Sequence, residues 1–368
     1  MGPDKKDIKY IRLLNRILAW EDHGIRYEAD QRHAEILINA LKLENSNGVN
    51  TPGVKTSSDE SNDDDYLEAD EATVFRACAA RCNFLGLDRP DVQYAAKEIS
   101  RHMAKPRQRD VVALKRLGRY LKQCPRAIFK YKFQKMSNTV RIFCDSNYAG
   151  CTETRKSTQG GVAMFGQHCV KSWSSTQATV ALSSAEAEFY GIVKACSVGL
   201  GMRSLLADMK VSVSLDVLTD ASAAKGIASK KGLPNKARHI NVHFLWIQEK
   251  VISKDINLRK IWGHDNPADI LTKFLDTETM TRHTRAFGLE YREGRSAEAP
   301  QIAMCSHVWR FSGMRAQRSR PENHKPPKMH KQSVSYVRDM SSALVRGFGQ
   351  GGVRRHNVLQ RVIVHSMC

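Results

Sequence analysis

The stretch Val140-Arg141-Ile142-Phe143-Cys144-Asp145-Ser146-Asn147-Tyr148-Ala149-Gly150 decides how this chain is read. Val140 to Cys144 are mostly β-branched or aromatic and contain no breaker, so they predict a buried strand; Ser146, Asn147 and Gly150 then turn the chain away. Asp145 is thereby left at the strand's carboxyl end. An acid at the rim of a sheet is fixed by the strand yet open to solvent, which is where α/β and mixed folds carry chemical groups. An Asx-turn cap is the plainer use of such a residue. Partner carboxylates elsewhere in the chain decide between the two.

Those partners lie downstream. Gly160 to Phe165 and His168 to Trp173 alternate in polarity and are joined by Gly166-Gln167, a hairpin signal, so three strands form an antiparallel meander. Ser183-Ser184-Ala185-Glu186 matches a capping box and opens an amphipathic helix through Ile192, Ala195, Val198, Met202 and Leu205. Glu186 is then the residue that reaches back to the cap, and Glu188, about 200° around the helix from it, is free to face the sheet. Leu215 to Thr219 is a second strand ending on an acid, Asp220, followed by the small residues Ala221 to Ala228. A helix over Ile240 to Val251, a strand over Ile256 to Trp262 and the loop Gly263-His264-Asp265-Asn266 lead to Pro267, which suits a helix first turn and puts Asp269 in it.

Asp145, Glu188, Asp220 and Asp269 thus sit at element ends that a sheet can bring together. Without metal, four acids so placed would repel one another. With hard divalent ions such as Mg²⁺, which take oxygen ligands, a pair of ions about 3.5–4 Å apart activates a water and stabilises a leaving oxygen in phosphodiester hydrolysis. His264, in a Gly-flanked loop before Asp269, is a candidate proton shuttle, against the plainer reading of an idle loop histidine.

Composition frames these residues. A chain of 368 residues with 41% hydrophobic content can bury a sizeable core, and two domains plus extensions are expected. There are 58 Lys and Arg against 38 Asp and Glu, a formal charge of +20, which favours a polyanionic partner such as nucleic acid, with a membrane surface as the rival. No apolar run approaches the roughly 20 residues of a membrane-spanning helix. The first residues do not lead into a signal-peptide core, so a soluble, intracellular chain is expected. Nine cysteines without a CxxC pair indicate neither a disulfide framework nor a zinc knuckle.

Upstream, Tyr10 to Trp20 and Ala34 to Leu43 carry helical spacing around a short polar segment, Glu21 to Glu28. Asn45 to Glu71 loses all periodicity and reads as a mobile loop, its Asp63-Asp64-Asp65 run as solvated charge. Pro90 to about Met103 and Asp110 to Lys122 read as amphipathic helices. The second has a face of Lys115, Arg116, Arg119 and Lys122 that suits either a phosphate backbone or plain solvent. Cys78 and Cys82 fit one helix face better than a redox pair, and His239 and His243 lack a third zinc ligand. Arg295 to Cys368 is basic with little periodicity and reads as a flexible tail; Gly347-Phe-Gly-Gln-Gly-Gly within it formally satisfies GxGxxG but has no strand before it.

Several of these strings together resemble one family. Asp145-Ser-Asn-Tyr-Ala-Gly-Cys, Thr154-Arg-Lys-Ser-Thr-Gln-Gly, Ser172-Trp-Ser-Ser-Thr-Gln, Ala181-Leu-Ser-Ser-Ala-Glu-Ala-Glu-Phe, Arg238-His-Ile and Pro267-Ala-Asp-Ile-Leu-Thr-Lys are similar to the ribonuclease H domain of copia-type LTR retrotransposon polyproteins, over roughly Thr139 to Leu275. The resemblance implies a ribonuclease H-like five-stranded mixed sheet flanked by helices. It implies hydrolysis of the RNA strand of RNA–DNA hybrids, with Asp145, Glu188, Asp220 and Asp269 holding two Mg²⁺, for which Mn²⁺ can substitute. The family usually has Asp-x-Asp-Trp at the first strand end, where this chain has Asn147 and Tyr148, and an Asn after the third acid, where it has Ala221. Leu14-Asn-Arg, Tyr27-Glu-Ala-Asp, Arg32-His-Ala-Glu-Ile-Leu, Thr51-Pro-Gly and Arg89-Pro-Asp resemble, more weakly, the end of the reverse transcriptase that precedes this domain, without the polymerase's paired-aspartate motif. The implied division is a small, mainly helical reverse-transcriptase end over 1–134 with an acidic loop at 45–71, a ribonuclease H-like domain over 137–285, and a basic tail over 286–368. The runner-up function is a non-catalytic nucleic-acid-binding remnant of a retroelement.

Overall fold

The computed structural model describes residues 1–55, 65–233 and 238–301. In chain order these form β1 (Tyr10–Leu13), β2 (Arg16–Glu21), β3 (Gly24–Glu28), α1 (Arg32–Ala40), α2 (Ala69–Gly86), α3 (Pro90–Arg101), α4 (Gln108–Gln123) and β4 (Arg126–Lys132). Then follow β5 (Thr139–Asn147), β6 (Thr158–Phe165), β7 (His168–Thr176), α5 (Ser184–Asp208), β8 (Ser214–Thr219), α6 (Ser222–Ala228), α7 (Trp246–Ile252), β9 (Asn257–Lys260), α8 (Thr277–Ala286) and β10 (Leu289–Arg292). Three short 3₁₀ segments, Val242–Phe244, Gly263–Asp265 and Pro267–Leu271, complete the list. Asp63, Asp64, the GxGxxG string and the chain beyond Gln301 lie outside the described residues.

The downstream half is the mixed α/β arrangement expected. Its sheet runs β7-β6-β5-β8-β9, antiparallel from β7 to β5 and parallel from β5 through β8 to β9. Ile142, Phe143, Cys144 and Asp145 are all buried, because α5 covers one face of β5 while the Pro267–Leu271 segment and α3 lie on the other side of the sheet. β5 stays paired to β6 as far as Asn147 but to β8 only as far as Phe143, so the two parallel strands part just where Asp145 stands. That is the ordinary place for a site in a sheet with parallel strands, where the carboxyl ends diverge and open a crevice.

The upstream half corrects the helical reading of Tyr10 to Trp20. This stretch is a hairpin, β1 pairing with β2 through Leu13 opposite Arg16, and the turn residues Leu14 and Asn15 both have positive φ (49° and 65°). A two-residue turn of that kind matches the twist of the strands it joins. The polar segment Glu21 to Glu28 contains a further strand, β3, and the antiparallel sheet is completed in the order β1-β2-β3-β4-β10. The last strand falls inside the stretch read as tail: Leu289 to Arg292 pairs with Phe129 to Arg126. Ser296 donates its backbone N–H to Gln31. This pairing joins residues far apart in sequence, so no local pattern announces it.

The upstream helices explain two of the quoted strings. Arg89-Pro-Asp is a buried ion pair, the Arg89 guanidinium lying 2.7 Å from Asp91, which also accepts from the Tyr120 hydroxyl at 2.8 Å. Thr51-Pro-Gly borders α4, where Arg116 donates to the Thr51 hydroxyl at 2.8 Å, Arg119 to the Asn47 carbonyl at 2.7 Å and Lys122 to the Ser46 carbonyl at 2.6 Å. The basic face of α4 is therefore occupied by the chain's own loop oxygens, which removes the reason to assign these three residues to a phosphate backbone. Cys78 and Cys82 are both buried on α2, and every described cysteine is free. No helix among the described residues is long and apolar enough to cross a membrane.

Candidate metal centre

Asp145 arrives through β5, Asp220 directly after β8, and Asp269 through the Pro267–Leu271 segment. Asn266 holds that segment in place. Its side-chain amide donates to the Cys144 carbonyl at 3.0 Å while its carbonyl accepts from the Ala268 N–H at 3.2 Å. The residue before a proline is kept out of helix, and an Asn there caps the turn that follows. Gly160, paired with Asp145 across β5 and β6, makes the close approach possible: a Cβ on it would lie 2.7 Å from the Leu271 Cβ. Gly160→Ala is therefore expected to push the segment off the sheet and cost about 1–3 kcal/mol, measured by urea unfolding against wild type.

The three aspartates meet. One carboxylate oxygen from each of Asp145, Asp220 and Asp269 lies within 4.8 Å of the other two. Asp145 is 5% exposed, and its Oδ2 accepts from the Thr272 hydroxyl. Lys273 lies against the same group, with Nζ 2.9 Å from Asp269 Oδ2 and 3.9 Å from Asp145 Oδ2. Glu188, the fourth acid of the sequence reading, is not one of the three that meet, although the charges of Asp145 and Asp220 reach it. Burial, then the charges of Asp145 and Asp220, push its carboxyl up to about 9, while the Ser146 backbone N–H favours its charged form. Burial followed by the Asp145 charge also raises Asp220 and Asp269. Burial would lower the Lys273 ammonium, but Asp145 and Asp269 outweigh it and hold it above its ordinary value. Two buried oxygens, Glu188 Oε2 and Asp269 Oδ1, have no hydrogen-bond partner. Three aspartates whose charges oppose one another, with buried carboxylate oxygens to spare, offer the kind of donors that a hard divalent ion takes.

The neighbouring acid is structural. Glu186 is 3% exposed and accepts from the Leu182 N–H at 2.8 Å and the Tyr190 hydroxyl at 2.6 Å. Its other contact is His239 Nε2 at 2.8 Å. The Ser183 hydroxyl accepts from the Glu186 N–H at 3.2 Å, so half of the capping box is formed as expected; the carboxylate bonds one residue earlier than the Ser183 amide. Burial opposes the Glu186 charge, but the bonds from Tyr190, His239 and Leu182 hold the carboxyl below its usual range. His264 is not drawn into the cluster. Its side chain is 61% exposed and its Nδ1 lies 3.0 Å from Asp265 Oδ1, although Gly263 beside it abuts Asp220.

No family model matches the chain. It is 29% identical over 223 residues to the retrovirus-related Pol polyprotein from transposon RE2 of Arabidopsis thaliana, covering 60% of this chain and 15% of that protein. It is 28% identical over 224 residues to the corresponding RE1 polyprotein, with the same coverage. The chain is a homologue of plant-transposon Pol polyproteins. It spans 15% of the length of those two relatives. Among solved structures it is similar to the N-terminal RNase H domain of a Mycobacterium tuberculosis protein fused to maltose-binding protein, with 15% identity, a TM-score of 0.28, and coverage of 41% of this chain and 99% of that one.

Sequence reasoning singled out neither Thr272 nor Lys273, although both close the quoted Pro267 string. The signal was a Lys four residues after a candidate acid, a spacing that brings two side chains together on a helical turn.

Proposed function

We propose that the chain hydrolyses the RNA strand of RNA–DNA hybrids with the help of divalent metal, as the ribonuclease H portion of a retrotransposon Pol polyprotein. In this reading the upstream part is the end of the reverse transcriptase. The observation that carries it is the meeting of Asp145, Asp220 and Asp269 within 4.8 Å, at the point where two parallel strands part. Asp145, Asp220, Asp269 and Glu188 would hold Mg²⁺, two ions in the fullest form, with Mn²⁺ as a substitute. Bound there, the metal would activate water and stabilise the leaving oxygen of a phosphodiester.

The chain's own residues do the rest. Thr272 fixes the rotamer of Asp145, Asn266 fixes the backbone that carries Asp269, and the buried floor of β5 excludes water from behind the carboxylates. His264, exposed on the loop outside the cluster, would serve as the proton shuttle only by swinging in from that loop, with Nε2 the nitrogen left to act while Asp265 holds Nδ1–H in the tautomer assigned from the contact. The polyanionic substrate matches the net charge of +20. The segment beyond Gln301 carries twelve Lys or Arg against two Asp or Glu, half of that charge.

Incubating the full chain with a hybrid labelled on each strand tests the reading. The RNA strand should be cut in Mg²⁺ or Mn²⁺ and neither strand in EDTA; cutting of both strands, or of RNA in EDTA, would sink it. Hybrid affinity should fall steeply with salt, and truncation after Gln301 should flatten that salt slope while changing kcat by less than about threefold. An unchanged slope would remove the terminal segment from binding.

A further inference from the structure

We propose that Lys273 is a resident counter-cation of the acidic centre, and that its competition for oxygens of Asp269 and Asp145 sets the affinity of the site for divalent metal. The inference rests on the metal-centre reading and adds a residue to it. Lys273 makes two contacts of different origin. The one to Asp269, four residues earlier, follows from the local turn; the one to Asp145 comes from the middle strand of the sheet, so the fold and not the spacing puts the ammonium between the two acids. On the same side, Thr272 donates to the Asp145 oxygen that faces Lys273.

A single ammonium leaves the cluster unfinished. Lys273 reaches one oxygen each of Asp269 and Asp145, and Asp269 Oδ1 and Glu188 Oε2 stay buried without partners. An ammonium offers three donors and one charge, whereas a divalent ion carries twice the charge and takes six or more oxygens. The ion therefore wins the shared oxygens at a cost set by how strongly Lys273 holds them. The Lys273 side chain is 44% exposed, so its flexible stem has a way out to solvent. In the metal-free protein the same ammonium lowers the repulsion among the acids. Loss of the charge should thus weaken the empty protein and strengthen metal binding, opposite effects that a plain structural lysine would not produce.

The test uses the full chain and Mn²⁺ alone. Binding is read from the loss of the free-ion paramagnetic resonance signal, and stability from thermal unfolding in EDTA. Lys273→Met and Lys273→Gln should each bind Mn²⁺ about tenfold more tightly. Both should unfold at lower temperature than wild type in EDTA, and at a similar temperature when saturated with Mn²⁺. Lys194→Met, at an exposed position on α5, should change neither quantity. Unchanged or weaker Mn²⁺ affinity in a folded Lys273 variant overturns the proposal, and Lys273→Gln supplies that reading if Lys273→Met does not fold. If wild type and Asp145→Asn take up Mn²⁺ equally poorly, the metal-centre reading fails, and the role of Lys273 with it.

Discussion

Glu188→Gln is expected to reduce kcat for hybrid cleavage by about 10³-fold or more while making the metal-free protein more stable above neutral pH. The loss of turnover follows from removing a charged oxygen donor beside the three aspartates, the kind of group whose contribution is made to charge that develops during reaction. The gain in stability follows from linkage. Burial and the two aspartates raise the Glu188 carboxyl from its ordinary 4.5 to about 9 in the folded chain. A group raised on folding contributes stability that is complete below its unfolded value and is lost as pH rises through the folded value. In EDTA, wild type should therefore weaken between pH 4.5 and 9, and the Gln variant should lack this part of the decline. A difference on the order of 1 kcal/mol at pH 8–9, vanishing near pH 4, is expected from urea unfolding. Glu186→Gln should behave in the opposite way, costing about 1–3 kcal/mol because a buried, three-way-bonded carboxylate loses charge-assisted bonds, while most activity remains. If Glu186→Gln were the inactive variant, the two acids would have to exchange roles.

Asp145→Asn should abolish metal-dependent cleavage, by about 10³-fold or more, and leave hybrid binding within about twofold of wild type. Asp145 is where the fold invests most. It stands at the divergence of β5 and β8, takes the Thr272 hydroxyl, lies within reach of Lys273 and is one of the three meeting aspartates. The amide keeps the shape and can still accept from Thr272, so the fold should hold, but it removes the charge that a divalent ion needs. Hybrid binding depends on cationic residues and phosphates, which the substitution does not touch. The check is a pair of measurements on one preparation: strand cleavage in Mg²⁺ and filter or anisotropy binding in EDTA. Equal loss of both would mean that Asp145 supports the fold and not the chemistry.

The downstream sheet was legible because its signals are local. Val140 to Cys144 form an unbroken β run, Gly166-Gln167 marks a hairpin, and Ser183 with Glu186 marks the start of α5. The phase that separates Glu188 from Glu186 follows from that start: Glu186 is bonded to Leu182, Tyr190 and His239, and Glu188, outside the trio of acids that meet, is reached by the charges of Asp145 and Asp220. The misreadings have equally local causes. At Leu14-Asn15 the turn contains no Gly, and a Leu at positive φ is a poor advertisement for a hairpin, so β1 and β2 passed for one helix. α2 was not misread but left unread apart from the shared helix face of Cys78 and Cys82, since it buries Ala72, Phe75, Cys78, Ala79, Cys82 and Leu85, a mixture too rich in small residues to draw a clear stripe. β10 gains its order from β4, far away in the chain. Thr272 and Lys273 escaped notice because a sequence shows that charges are present but not which side chains a distant strand will meet.

Anomalous scattering from a crystal of the full chain soaked in Mn²⁺ reports directly on whether the four acids form a metal centre. A peak bounded by Asp145, Asp220 and Asp269, with the Glu188 carboxylate turned toward it and Lys273 withdrawn, is the expected result. An empty centre at saturating Mn²⁺, with Lys273 and Thr272 still on the aspartates, would contradict a metal-dependent hydrolase built on these residues and would favour a nucleic-acid-binding remnant.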